Sequence, residues 1–139
     1  MTAAYDDPKV QARLRVWWGV WFFLLVDLVG IYAALGRGPL PPPTPGANPF
    51  ANLIGLVPLF VSIVIRWLVL PRATDPKGAF VLFVVGLALA NGCGILGIFL
   101  GGPYRDSLFV LGVLGVTQFV PLYARKLFEP KLQGFIPNN

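Results

Sequence analysis

The sequence predicts an all-α fold: a polytopic integral membrane protein with four transmembrane helices in an up-down bundle. Three observations predict it. Hydrophobic residues make up 56% of the 139 and charged residues only 12%, and the mean hydropathy is +0.73, outside the range of soluble domains. Four apolar runs, long enough to cross a hydrocarbon core of about 30 Å, are separated by short segments rich in Pro, Gly and charge. Lys and Arg gather at alternate ends of those runs, which fixes an orientation.

The runs fill the chain, so residues 1–139 read as one membrane domain with spans at about 16–36, 53–71, 80–101 and 107–127. In the first span, Asp6 or Asp7 is an N-cap and Pro8 a first helical residue. Trp17, Trp18 and Trp21 cluster at its start, where indole rings favour the headgroup interface. A basic start before an apolar run also resembles a signal peptide, but this run is too long, so the segment reads as a retained anchor. Residues 37–52 carry six prolines between Pro39 and Pro49 and form an external, stiff, polyproline-like loop.

Pro58 kinks the second span or marks its true start. Arg66 and Trp67 anchor its far end, with the arginine snorkelling to the headgroups. Asp75 and Pro76 open the third span as N-cap and first residue, so spans two and three make an antiparallel hairpin. Asp106 or Ser107 caps the fourth span. Pro121 within it removes the hydrogen bond to the carbonyl of Thr117 and predicts a kink. Arg125 and Lys126 form its interfacial end.

Lys9, Arg13, Arg15, Arg66, Arg72, Lys77, Arg125, Lys126 and Lys131 fall on one side of the bundle, against only Arg37 and Arg105 on the other. The positive-inside rule then places both termini in the cytoplasm of a membrane read as the bacterial inner membrane. The net charge of +5 is accounted for by these flanking residues, so no nucleic-acid partner is expected. With no histidine and one cysteine, Cys93, the chain offers no metal cluster, cofactor ligand set or nucleophile paired with a base. It is read as having no catalytic residues, no metal, no cofactor and no enzymatic activity.

The third span carries the bundle's organising feature. Gly86, Ala90, Gly94, Gly97 and Gly101 are spaced so that they share one helical face. A face with almost no side chain lets a neighbouring backbone approach closely, the main source of helix association in lipid. Gly112 and Gly115 supply a second small-residue set on the fourth span.

Polar residues recur near mid-membrane. Asp27 and Asn91 each lie roughly 16 Å from the cytoplasmic start of their spans, and Ser62, Thr117 and Gln118 lie near the same depth. Two roles follow for Asp27, the one acid among them. Either it takes and releases a proton in a site shaped by Asn91 and Gln118, or, protonated, it hydrogen-bonds to one of those amides and fixes helix register. The absence of further ionisable groups in series favours the structural role.

Two resemblances add to this reading. LALANGCGILGIFL, within residues 86–100, resembles the carboxylate-bearing helix of rotary ATPase proteolipids in its small-residue run. Where that family carries its ion-binding glutamate this chain has Asn91 or a neighbour, so the likeness implies close packing without ion carriage. The architecture is also similar to that of small multidrug-resistance transporters, short four-span chains with an essential acid in the first span. Their weak charge bias and paired opposite orientations contrast with the one-sided charge here. The sequence therefore predicts a structural or accessory subunit of a larger membrane complex or a homo-oligomer. Its partners would be membrane lipids and other membrane-protein subunits or copies of itself. The rival expectation is a small proton-coupled transporter or ion-conducting oligomer that uses Asp27.

Overall fold

The computed structural model describes residues 8–42, 45–46 and 48–124. Among these every regular element is helical. Three helical segments, Pro8–Gly36, Pro76–Leu100 and Gly102–Tyr123, are long and apolar enough to cross a membrane. These properties are those of an integral membrane protein. Asp6, Asp7, Arg125, Lys126 and Lys131 lie outside the described residues.

Helix α1, Pro8–Ile31, starts earlier than the apolar run and ends in a π turn over Tyr32–Gly36. The loop that follows is not extended throughout. It closes in a short helix α2, Pro49–Asn52, because the Asn48 side chain accepts from Phe50 N at 3.0 Å and Pro49 supplies a preset φ at the first position.

The second apolar run begins its rod at Leu56. Helix α3, Leu56–Val64, continues through a π turn at Ile65–Val69 and a 3-10 turn at Leu70–Arg72. Pro58 sits in the first turn, where a missing N–H costs no intrahelical bond, so it marks the start rather than a kink.

Helix α4 spans Pro76–Leu100, with Asp75 capping Gly78 N at 2.9 Å and Pro76 at the first position. Helix α5, Arg105–Thr117, follows a 3-10 turn at Gly102–Tyr104. Neither Asp106 nor Ser107 caps it; the N-cap is Tyr104 and makes no side-chain bond. The predicted kink at Pro121 is instead a termination. Without a Pro121 N–H, the Thr117 carbonyl accepts from Val120 N at 3.0 Å, the α-helix stops at Thr117, and Pro121–Tyr123 form a separate 3-10 turn.

Helix α4 is the centre of the molecule, with α1, α3 and α5 packed on it. Trp17 of α1 lies against Phe80 and Phe83, and Leu28 against Gly94, so α1 and α4 run in the same sense. Gly97 meets Leu108, Gly94 meets Gly112 and Gly86 meets Phe119, so α5 runs opposite to α4. Gly55 against Cys93 and Ser62 against Gly86 set α3 opposite to α4 as well.

Candidate functional site

All five small residues singled out on α4 are buried. A Cβ added at Gly86 would lie 2.5 Å from the Phe119 ring, and one at Gly94 would lie 2.6 Å from Leu28. At Gly97 it would strike Leu108, and at Gly101 the carbonyl of Gly97 and the start of α5. Between α4 and α5 backbone meets backbone: a Cβ on Gly112 would lie 2.7 Å from both N and Cα of Gly94. Ala90 faces Gly115 at the next turn.

The five polar residues predicted at mid-membrane do not form one connected layer. Ser62 is fully buried and donates from Oγ to the Gly86 carbonyl at 2.8 Å, a bond between α3 and α4 at the edge of the seam. Asn91 is 5% exposed, and its Oδ1 finds no partner. Thr117 is exposed and turns back on its own helix, donating to the Val113 carbonyl at 2.7 Å.

Asp27 is partly exposed and forms no hydrogen bond or ion pair with any described residue. The expected bond from Asp27 to Asn91 or Gln118 is therefore not made. Gln118 is turned to a different partner, because the end of α5 falls beside the π turn of the second rod.

That end is where polar groups converge. Once α5 stops, Leu122 N bonds back to the Val120 carbonyl at 2.8 Å, and the Gln118 carbonyl is released from helical pairing. Arg66 Nε donates to it at 2.7 Å, placing a cation on the negative end of the helix dipole. Trp67 Nε1 donates to Gln118 Oε1 at 3.2 Å. The wider π turn presents both consecutive side chains to the same residue. The Arg66 guanidinium lies 4.3 Å from the centre of the Tyr123 ring and 5.3 Å from that of Trp67. Gln118 Nε2 and the Tyr123 hydroxyl are buried here without partners. From the other side Trp21 Nε1 of α1 donates to the Val116 carbonyl at 2.9 Å. Side chains of two neighbouring rods thus bond to carbonyls at the end of α5, with Arg66 capping that of Gln118 and Trp21 adding to the backbone bond at Val116.

The tryptophans expected as interfacial anchors divide. Trp18 and Trp67 are exposed. Trp17 is only 2% exposed, packed among Phe80, Phe83 and Tyr123 at ring separations of 4.7–5.9 Å. It is a core residue, because α4 begins beside it and removes it from the headgroup surface. Trp21 is likewise turned inward by its bond to α5.

A second polar cluster, not anticipated from the sequence, closes the opposite end. Tyr32 OH donates to Asp106 Oδ1 at 3.0 Å, and its ring stacks on Phe109 at 3.8 Å. Arg105 Nε donates to the same carboxylate oxygen at 3.1 Å, and Arg105 Nη2 to the Gly38 carbonyl at 2.6 Å. Arg105 is 9% exposed and forms an ion pair with Asp106. Its GPYRD turn suggests only a loop; the groups that enclose it, Tyr32 through Asp106 and the Gly38 carbonyl, belong to the end of the first span and the loop after it.

No group of three His, Cys, Asp or Glu side chains among the described residues is placed to hold a metal ion. Both clusters join rods to one another. No protein-family profile, curated protein or solved structure matches the chain.

Proposed function

We propose that the chain is a structural or accessory subunit of a larger membrane complex or a homo-oligomer, with no enzymatic activity of its own. In this reading it crosses a bacterial inner membrane four times, up and down, with both termini in the cytoplasm. The second rod, Leu56–Arg72, supplies the fourth crossing. The gathering of Lys9, Arg13, Arg15, Arg66, Arg72 and Lys77 toward one end, against Arg37 and Arg105 at the other, supports that orientation.

Asp27 is the observation that carries the reading. A carboxyl at the middle of an apolar helix is costly unless another group receives it, and no described residue of this chain bonds to it. One turn before Asp27 on the same side of α1, Phe23 is exposed, and the adjoining face leaves Phe22, Val26 and Val29 exposed as well. A Cβ built on Gly19 or Gly30 would meet nothing. A helix from another subunit, or from a second copy, would cover this face and supply a donor to Asp27.

The rival reading, a proton-coupled transporter, uses Asp27 as well. Two variants separate the two. Asp27→Asn keeps the size and hydrogen-bonding capacity of the side chain and removes the carboxyl. If the protein is a subunit, Asp27→Leu will shift the complex toward free chain in mild detergent, read by native gel or light scattering, and Asn will largely rescue it. If it is a proton-coupled transporter, both variants will assemble normally and abolish proton-driven flux in proteoliposomes. Normal assembly of Asp27→Leu would overturn the subunit reading.

A further inference from the structure

A groove of about 360 Å³ lies between α1 and α4 at the end of the molecule where both helices begin. Its apolar wall is Val16 and Trp17 from α1 with Pro76, Phe80 and Val81 from α4, and Arg13 and Lys77 complete it. Each cation precedes an apolar lining residue by three positions, about 4.5 Å of helical rise toward the start of its helix. The groove is therefore graded along the bundle axis, cationic at the rim and apolar further in. Trp17 is held by its ring contacts with Phe80 and Phe83, which makes the deep wall rigid.

The rim cations are uncommitted. Arg13 and Lys77 are exposed, and neither forms a hydrogen bond or ion pair with a described residue. The nearby acid, Asp75, accepts from Gly78 N with one carboxylate oxygen as the cap of α4. Two cations from two helices, with no partner among the described residues and above an apolar slot, match an anionic amphiphile in both charge and polarity gradient. A second copy of the chain would bring the same two positive charges against this rim and be repelled.

We propose that this groove binds an anionic phospholipid. Its phosphate lies between Arg13 and Lys77, and an acyl chain runs along Val16, Phe80 and Val81. Basic pockets between membrane helices on the cytoplasmic side select anionic headgroups in this way, each cation adding about 1 kcal/mol, a factor of about five. The proposal rests on the membrane reading above, and its test keeps the two apart.

The full-length protein is first reconstituted into phosphatidylcholine nanodiscs; failure to enter them overturns the membrane reading and this proposal together. Detergent-purified protein is then titrated with phosphatidylglycerol and with phosphatidylcholine of the same acyl chains, and bound lipid is read by native mass spectrometry. The expected result is a preference for phosphatidylglycerol that falls roughly fivefold in Arg13→Gln, fivefold in Lys77→Gln and twenty- to thirtyfold in the double variant. Arg15→Gln and Arg72→Gln, equal losses of charge outside the groove, leave the preference nearly intact. Val81→Trp, which fills the slot, weakens both lipids. Equal losses from Arg15→Gln and Arg13→Gln would reduce the effect to diffuse attraction and overturn the site. Competition by inorganic phosphate alone, or dimers cross-linked through Lys77→Cys with no lipid preference, would also overturn it.

Discussion

Arg66 looks in the sequence like a snorkelling anchor. In the fold it caps the last helix, and its partner is a backbone carbonyl rather than an acid. The distinction has a consequence for mutagenesis. Arg66→Ala leaves the Gln118 carbonyl unpaired in a partly buried position, at a cost of about 1–3 kcal/mol, and also removes the cation from the Tyr123 ring. Gln118→Ala keeps the carbonyl and the Arg66 bond, and loses only the weaker contact with Trp67 Nε1. Thermal unfolding in detergent should therefore show Arg66→Ala as clearly the more damaging of the two. Equal effects would mean that the side-chain amide, not the helix end, holds the arginine. Asp27 could be found from composition alone, as the one acid deep in an apolar run. That no described residue partners it could not, because the direction of a side chain on α1 is set by which face α4 covers.

At the scale of the element, α4 shows how glycine acts differently at neighbouring positions. Gly112 on α5 sits over Gly94 with no room for a methyl group, and the obstruction is backbone that cannot rotate away. Gly112→Ala should cost about 1–3 kcal/mol as overpacking, or separate α4 from α5. Gly92, two residues from Gly94 on α4, has nothing within reach of an added Cβ. Gly92→Ala should be neutral or stabilise the helix by up to about 1 kcal/mol through its propensity. Paired melting curves of the two variants check this. Comparable destabilisation by both would contradict the close approach of α4 and α5. Spacing selected Gly86, Ala90, Gly94, Gly97 and Gly101 as one face and left Gly92 off it, and the burial pattern follows that division. The break after Thr117 was half legible. Pro121 marked the residue at fault, but whether a proline bends or ends a helix depends on what takes up the freed carbonyls; here Val120 N takes up that of Thr117 and Arg66 that of Gln118.

For the whole molecule, charge separates the two ends. One end gathers α1's start, α4's start and the end of the second rod; the other holds the Tyr32–Asp106–Arg105 cluster beside Gly38. If the cation-rich end is cytoplasmic, a cysteine placed at Leu40 will react with a membrane-impermeant maleimide added outside intact cells. One at Thr74 will react only after the membrane is opened. The reverse pattern would invert the orientation. Cys93 itself is fully buried, with Sγ 3.7 Å from the Leu108 carbonyl, and should stay unlabelled in both cases until the protein is denatured.

Composition, run length and the placement of lysine and arginine were enough to determine a helical membrane protein and its small-residue face, because these follow from the free energy of moving side chains and backbone out of water. They are properties of each segment taken singly. Which segments meet is a property of pairs, and only the tertiary structure decided it. It put Trp17 in the core instead of at the surface, turned the Gln118 side chain to Trp67 instead of Asp27, and buried Arg105 beneath the loop after α1. A hydrogen-bonding side chain in a dry interior goes to whichever open group lies within about 3 Å, and that group belongs to another part of the chain.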